Sequence, residues 1–427
     1  MTPRTTWLFA ASVAVIVLNL FAPQTLVGLI GPSLGLKPVQ GGLISMATLL
    51  GYAAGLFLLV PLADLLENRR LVVAQLIVAI AAAAAAMFVT RAEALLLLLF
   101  VLGAACSAIQ VLVPIAAHMA SPQRRGQVIG DVMGGLMVGI LLSRPLASLV
   151  ADAWGWRAFY GISAAAMALL TWVLATRLPV RQPAMQASYP ALIGSLWRLL
   201  CEEPVLRRRA LSASLVMGAF SLFWTAVALR LAQAPFGLGQ RGIALFALAG
   251  AGGAIVTPLA GRLGDRGWTR AATLAAHALL LGAFALAAWA GGQGLASRNP
   301  LWPLLAMGAA AVLLDVGVTG DQTLGRRAIN MLRPEARGRI NGVFVGVFFL
   351  GGAAGSALAG AAWAAGGWNA VCAAGGLFAL AATGTGLWGR DATISPARTD
   401  ATISPARTDA TISPARTLPA GRAGRRA

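Results

Sequence analysis

The sequence predicts an all-α integral membrane protein, with twelve transmembrane helices arranged as two parallel six-helix repeats. Three observations carry that expectation. The 427 residues are 58% hydrophobic and only 11% charged, against about 25% charged in a soluble domain. Mean hydropathy is +0.78, and apolar runs long enough to cross a bilayer recur along most of the chain. Finally, two stretches 212 positions apart read alike, so the chain carries one six-span pattern twice.

The elements follow in order. Span 1 is expected at about 7–31, too long for a secretory leader and without a clear small-residue cleavage site. Pro23 within it is positioned to interrupt the helix and free backbone carbonyls. Spans 2 to 6 follow at about 41–63, 71–90, 93–117, 128–151 and 157–176. A hydrophilic linker comes next, RLPVRQPAMQASYP and then an amphipathic stretch, ALIGSLWRLLCEEPVLRRR. Spans 7 to 12 are expected at about 210–233, 241–261, 271–291, 301–324, 340–362 and 366–389. The domains are therefore an N-terminal bundle (1–178), a cytoplasmic linker (179–208), a C-terminal bundle (209–390) and a tail (391–427). In the tail DATISPART occurs three times in tandem, with too few apolar groups to fold, and it is expected to be disordered.

Charge sets the orientation. A formal net charge of +19 would suggest nucleic acid in a soluble protein. Here the five loops expected inside hold eighteen Lys/Arg and the outer loops five: Lys37, Arg91, Arg157, Arg241 and Arg298. That is the positive-inside pattern, with both termini cytoplasmic and no nucleic-acid partner. Lys37 is the single lysine, and GPSLGLKPV does not fit the GxxxxGK[ST] phosphate loop, so no ATP site is encoded. Neither an HExxH zinc pattern nor a GxSxG elbow occurs, which argues against an enzyme. Cys106, Cys201 and Cys372 are single and widely spaced; neither a metal nor a disulfide is expected.

The repeat aligns without a gap. IAAHMASPQRRGQVIGDVMGG (115–135) lies over RAINMLRPEARGRINGVFVGV (327–347), pairing Arg125 with Arg337 and Gly134 with Gly346. The register continues to Gly139/Gly351 and back to Gln110/Gln322. Six spans separate equivalents, so the copies have the same orientation, one of the known architectures of secondary transporters. Gly134, Gly139, Gly346 and Gly351 recur at a spacing that lets helices approach closely in lipid, and are read as helix-packing glycines.

Asp64 with Arg69-Arg70 after span 2, and GRLGDR with Asp265 and Arg266 after span 8, carry a specific resemblance. Together with the two sixes they make residues of about 5–390 resemble the major facilitator superfamily. Val60 and Glu67 stand where that family's loop signature has glycine. The resemblance implies a facilitator-type fold, a gating role for Asp64, Arg69, Asp265 and Arg266, and a central cavity lined by spans 1, 4, 7 and 10. Asn19, Gln24, Gln110, Trp224 and Thr225 are the polar candidates there. A carboxylate at Asp64 is also suited to the positive end of span 11.

The copies differ at two charges. Arg144, in GILLSRPLASLV of span 5, faces Ser356 in the sister copy, and Asp315 of span 10 faces Gly103. By helical rise Arg144 lies ~24 Å and Asp315 ~15 Å from the inner surface, an axial gap of ~9 Å. The two could pair. Arg144 could instead meet carbonyls freed at a Pro145 kink, water or an anionic substrate. A carboxylate in a poorly solvated cavity is suited to carrying protons. Asp321 and Gln322 are expected to be solvated gate residues, Arg230 to snorkel outward, and His277 to be a buried polar group. Within the family the chain is most similar to bacterial drug/proton antiporters. That implies proton-coupled efflux of a small organic molecule at the inner membrane by a monomer, energised by the proton gradient without a cofactor. The branch's span 4 arginine would fall at Leu99 and is absent; Arg144, before Pro145, is expected to take over its role beside Asp315. Proton-coupled uptake of an organic anion held by Arg144 is the alternative, and a non-transporting receptor or scaffold is the reading from another class.

Overall fold

A computed structural model describes residues 3–182, 188–292, 300–333 and 336–388. Arg298 and the DATISPART tail lie outside the described residues. Among those described, every regular element is helical. α1 (Pro3–Phe21) and α2 (Pro23–Ser33) form span 1, interrupted at Ala22 because Pro23 has no N–H to continue the ladder. Span 2 is α3 (Gly42–Leu58), closed by a 3-10 turn at Val60–Asp64. Span 3 is α4 (Asn68–Ala86). Span 4 is α5 (Ala92–Cys106) and α6 (Ile109–Met119), joined by two residues whose bonds tighten to the 3-10 pattern, Gln110 N–H to Ser107 O at 2.9 Å. α7 (Arg125–Trp154) and α8 (Trp156–Arg177) are spans 5 and 6, and α9 (Tyr189–Glu202) is an amphipathic helix within the linker.

The second copy begins with α10 (Pro204–Ala232), span 7. Span 8 is α11 (Gln240–Ala247), a 3-10 turn at Leu248–Ala251, and α12 (Gly252–Asp265). α13 (Thr269–Gly291) and α14 (Leu301–Asn330) are spans 9 and 10. α15 (Arg337–Leu387) holds 51 residues, ~76 Å of helix and more than two bilayer crossings. It turns at Gly366 and at Gly367, whose φ of 60° a side chain would disfavour, and so supplies spans 11 and 12. Pro145 does not break α7, which runs unbroken through it.

The pairings of the first copy recur in the second. α1 packs on α7 as α10 packs on the first limb of α15; α3 packs on α5 as α12 packs on α14; α4 packs on α8 as α13 packs on α15. The glycines explain how close these contacts are. Gly139 meets the Ala14 backbone, Gly351 the Ser214 backbone and Gly346 the Phe57 ring. Gly134 departs from its expected packing role: space is open where its Cβ would lie, and Gly135, one position on, touches the Ala10 backbone instead. A shift of one residue turns the contact by about 100° around the helix, which a four-residue sequence spacing alone does not resolve.

The repeats meet unevenly. On the face opposite the arginine-rich loops, α2 packs on α10, and α11 packs on α7 with Arg241 and Asp152 paired at 2.7 Å. On the basic face, α1, α6 and α12 make no extensive contact with the opposite repeat, while α3 against α15 is a junction that extends to the other face, where Gly42 meets Ser356 and Gly360. Exposed tryptophans near helix ends, among them Trp7, Trp154, Trp268 and Trp302, suit the two bilayer interfaces.

Candidate functional site

Arg144, on α7 at the junction of the repeats, is only 1% exposed, as deeply buried as any charged side chain among the described residues. Its Nε–H donates to Gln24 Oε1 at 2.9 Å. Its guanidinium lies 4.1 Å from the ring centre of Trp224, 5.0 Å from Phe220 and 5.5 Å from Phe21. Stacking on aromatic faces is a cation–π arrangement that gains strength when desolvated. Trp224 Nε1–H in turn donates to Asp315 Oδ1 at 3.0 Å. A carbon placed on Gly250 would lie 3.0 Å from Asp315 Oδ2 and 3.5 Å from Arg144 Nη1, so both groups turn toward the same glycine. The charges make no direct ion pair; Trp224 stands between them, its face to the cation and its edge to the carboxylate. Nη2 of Arg144 has no hydrogen-bond partner among the described residues.

Just beyond Ala22, Gln24 and Thr25 of α2 face α7. Thr25 Oγ1–H reaches the carbonyl of Arg144 at 3.5 Å. Asn19, expected to line the cavity, is instead wholly buried against α8, where it accepts a hydrogen bond from Ser163 at 2.8 Å. Thr225 likewise faces α15, with Ser356 Oγ at 3.3 Å. Both sit on the inner side of their own repeat, where a buried polar group takes a helix partner. Arg230 does not snorkel. It is 4% exposed, and it donates to Gly291 O and to Ala234 O, each at 2.9 Å, beside Phe236.

Asp321 is also no solvated gate residue. It is 1% exposed, accepting from Ser212 Oγ–H at 3.0 Å, with His277 Nε2 at 3.1 Å from the same oxygen. α14 continues past the expected end at 324 to Asn330, which carries Asp321 nearly two turns deeper than the sequence boundary implied. His277 from α13 and Ser212 from α10 thereby gain a shared acceptor.

A cavity of about 560 Å³ opens at the basic face between α3, α6, α9 and α15. Leu56, Val111, Pro114, Leu192 and Leu196 form apolar wall; Gln110, Asn68, His118, Arg181, Asp64 and Arg339 supply polar groups. Asp64 thus lies beside the start of α15, with Arg339 in electrostatic reach. Arg69 is half-buried, Arg266 is exposed, and Asp265 accepts from Arg327 of its own repeat at 3.1 Å. The two loops therefore do different things: the first borders the opposite repeat, and the second is tied within its own.

A profile described as the Major Facilitator Superfamily matches residues 7–320. The chain belongs to the Major Facilitator Superfamily. It is 36% identical over 380 residues to a protein of Escherichia coli strain K12 described as the putative uncharacterized transporter YgaY, covering 89% of this chain and 94% of that one. It is 36% identical over 376 residues to the probable transporter SCO4007 of Streptomyces coelicolor, covering 86% and 84%. A crystal structure of a point mutant of the nucleoside transporter NupG has a similar fold, with a TM-score of 0.67, 15% identity and coverage of 89% and 99%. As a facilitator the chain is a multi-pass, non-enzymatic transport protein for a small-molecule substrate.

Within this facilitator, sequence reasoning missed three contributors. Gly250, inside expected span 8, went unremarked, yet a carbon added there would approach both Arg144 and Asp315. Ser212 carried no signal beyond its polarity. Arg326 counted as an inner-loop charge, whereas it lies within α14 and in electrostatic reach of Tyr52 on α3.

Proposed function

We propose that the chain is a proton-coupled secondary transporter that exports a small organic molecule by alternating access. The Arg144–Trp224–Asp315 unit carries the proposal. Arg144 belongs to the first repeat, Trp224 and Asp315 to the second, and the unit crosses the junction at which the two must rock. Protonation of Asp315 removes the negative charge that balances Arg144, and it weakens what Trp224 N–H gains from the carboxylate. A proton thereby changes the energy of the junction directly. The cavity at the basic face and the contacts of α2 and α11 across the opposite face support reading this conformation as inward-open, the state in which an exporter loads substrate.

In this reading residues 1–178 and 209–390 are the rocking halves, joined by the linker 179–208, with the basic face and both termini cytoplasmic in the bacterial inner membrane. The protein acts as a monomer, with protons as the energy source and no ATP. The test uses proteoliposomes with an imposed pH gradient and a solute chosen by thermal-shift screening of the purified protein. Wild-type protein is expected to move the solute against its gradient, and both Arg144→Ala and Asp315→Asn to lose coupled movement. Coupled transport unchanged in both variants overturns the mechanism, and movement toward the basic face overturns the direction.

A further inference from the structure

Span 10 buries a second carboxylate, Asp321, that coupling through Asp315 does not use. Its Oδ1 accepts from Ser212 Oγ–H at 3.0 Å, and Nε2 of the wholly buried His277 lies 3.1 Å from that oxygen and 3.2 Å from Ser212 Oγ. With Asp321 ionised, the carboxylate only accepts, so the hydrogen in the contact belongs to Nε2. That leaves a lone pair on Nδ1, which is buried with no hydrogen-bond partner among the described residues. A buried polar atom left without a partner calls for a reason. The fold needs no charge here. In the first repeat, spans 3 and 4 are joined by neutral groups, Gln75 Nε2–H donating to Ser107 Oγ at 3.2 Å, and Asp321 matches Ile109 at the 212 offset.

The cluster adjoins water. A recess of about 10 Å³, about the room that one water needs, lies at the inner ends of α10, α13 and α15. Ser212 belongs both to the recess and to the cluster. Gly386 forms another part of the wall, and a carbon built on it would lie 3.6 Å from His277 Nδ1. The lone pair therefore sits behind a stretch of wall that carries no side chain. The charges around the pair come from four helices. On α10, Arg209 lies one turn nearer the basic face than Ser212 and donates to Thr273 Oγ1 at 2.9 Å, with Arg208 beside it at the recess. Arg270 of α13 lines the same recess. On α14, Asp315, Arg326 and Arg327 leave the helix at least ~120° away from Asp321, at ~100° per residue. Arg262 and Asp265 of α12 lie in its last turn, where Asp265 pairs with Arg327. α15 supplies Thr385 and Gly386 to the recess, neither of which titrates.

We propose that His277 and Asp321 form a second proton-binding site, within the second repeat and beside the recess at the basic face. A hydronium ion in the recess gives its proton to Nδ1. The ring gains one N–H bond, water is released, and Nε2–H stays on Asp321. The pair passes from a net charge of −1 to 0, and a lone buried carboxylate becomes half of an imidazolium–carboxylate ion pair. The site rests on the proton-coupled reading for its part in transport. It fails separately, because proton uptake is measured without a solute or a gradient.

The experiment uses full-length protein in lipid nanodiscs, with ring-nitrogen-labelled histidine read by NMR. The chain has two histidines, and His118→Gln assigns the signals. His118 is exposed and is the opposite tautomer, since its Nδ1 lies 2.9 Å from the carbonyl of Pro114 and must donate. On lowering the pH from about 8 to about 5, the range in which a histidine changes charge, His277 is expected to pass from a ring protonated at Nε2 alone to one protonated at both nitrogens. Asp321→Asn is expected to need at least a tenfold higher proton concentration for the same change, whereas Asp321→Glu, which keeps the carboxylate, retains it. Should Asp321→Asn fail to fold, the wild-type spectra decide alone. A His277 ring that stays neutral across the range, a neutral ring with its hydrogen on Nδ1, or a change that Asp321→Asn leaves in place would each overturn the site.

Discussion

The energetic coupling of Arg144 to Asp315 can be measured without a substrate. Arg144→Met keeps much of the side-chain volume between Phe21, Phe220 and Trp224 but leaves the Asp315 carboxylate without its cation. Asp315→Asn leaves the guanidinium without its anion and preserves an oxygen for Trp224 N–H. Each single substitution is expected to cost about 3–5 kcal/mol, the range for breaking a buried charge pair by removing one partner. A carbon added to Gly250 would lie 3.0 Å from Asp315 Oδ2 and 3.5 Å from Arg144 Nη1, so the two groups come near one point. A separation of roughly 6 Å, with an effective dielectric constant of about 20, corresponds to about 3 kcal/mol of attraction. The double variant should therefore be about 3 kcal/mol more stable than the sum of the single losses predicts. The assay is a double-mutant cycle by denaturant unfolding of all four proteins in mixed micelles. A coupling below about 0.5 kcal/mol, the usual error of additivity, would refute the claim that the two charges act on each other through the junction.

Further outcomes follow from the packing. Gly351→Ala places a carbon against the Ser214 backbone and should cost about 1–3 kcal/mol, whereas Gly134→Ala, with open space, should stay within about 0.5 kcal/mol of wild type; melting curves of the two side by side decide this. Asp321→Ala strands Ser212 and His277 without their shared acceptor, and should destabilise by about 1–3 kcal/mol. Asp321→Asn retains an acceptor and should cost less, again by melting temperature. Asp265→Ala removes an ion pair to Arg327 in which Asp265 is 73% exposed, so stability should change by no more than about 1 kcal/mol. A larger loss in unfolding assays would mean that the loop holds more than that pair.

Much of the site was legible as a list and little of it as an arrangement. Arg144 and Asp315 stand out because a charge in lipid is expensive and each is missing from the sister copy. Gln24, Gln110 and Trp224 could be named as polar groups on the expected pore spans. Asn19 and Thr225 satisfied the same criterion, yet they face their own repeat. The criterion fixes the span but leaves the rotation of the helix about its axis free, and here packing sets that rotation. Asp321 and Arg326 were misjudged for a different reason. Hydropathy ends span 10 at the first cluster of charges, while the backbone continues helical for nearly two more turns, since its hydrogen bonds do not depend on side-chain polarity.

By itself the sequence determined the membrane class, the twelve spans, the duplicated six-span pattern and the two intramembrane charges. Each of these follows from burial cost: apolar length, arginine placement and unpaired charge are summed along the chain and need no neighbour. The tertiary structure decided that Arg144 stacks on Trp224 and that Trp224 in turn donates to Asp315. It also decided that Asp321 accepts from Ser212 beside His277, and that Gln110 donates to the hydroxyl of Tyr52. Those are contacts between residues dozens of positions apart, fixed by helix rotation and by glycine-to-backbone approach, which no spacing along the chain encodes.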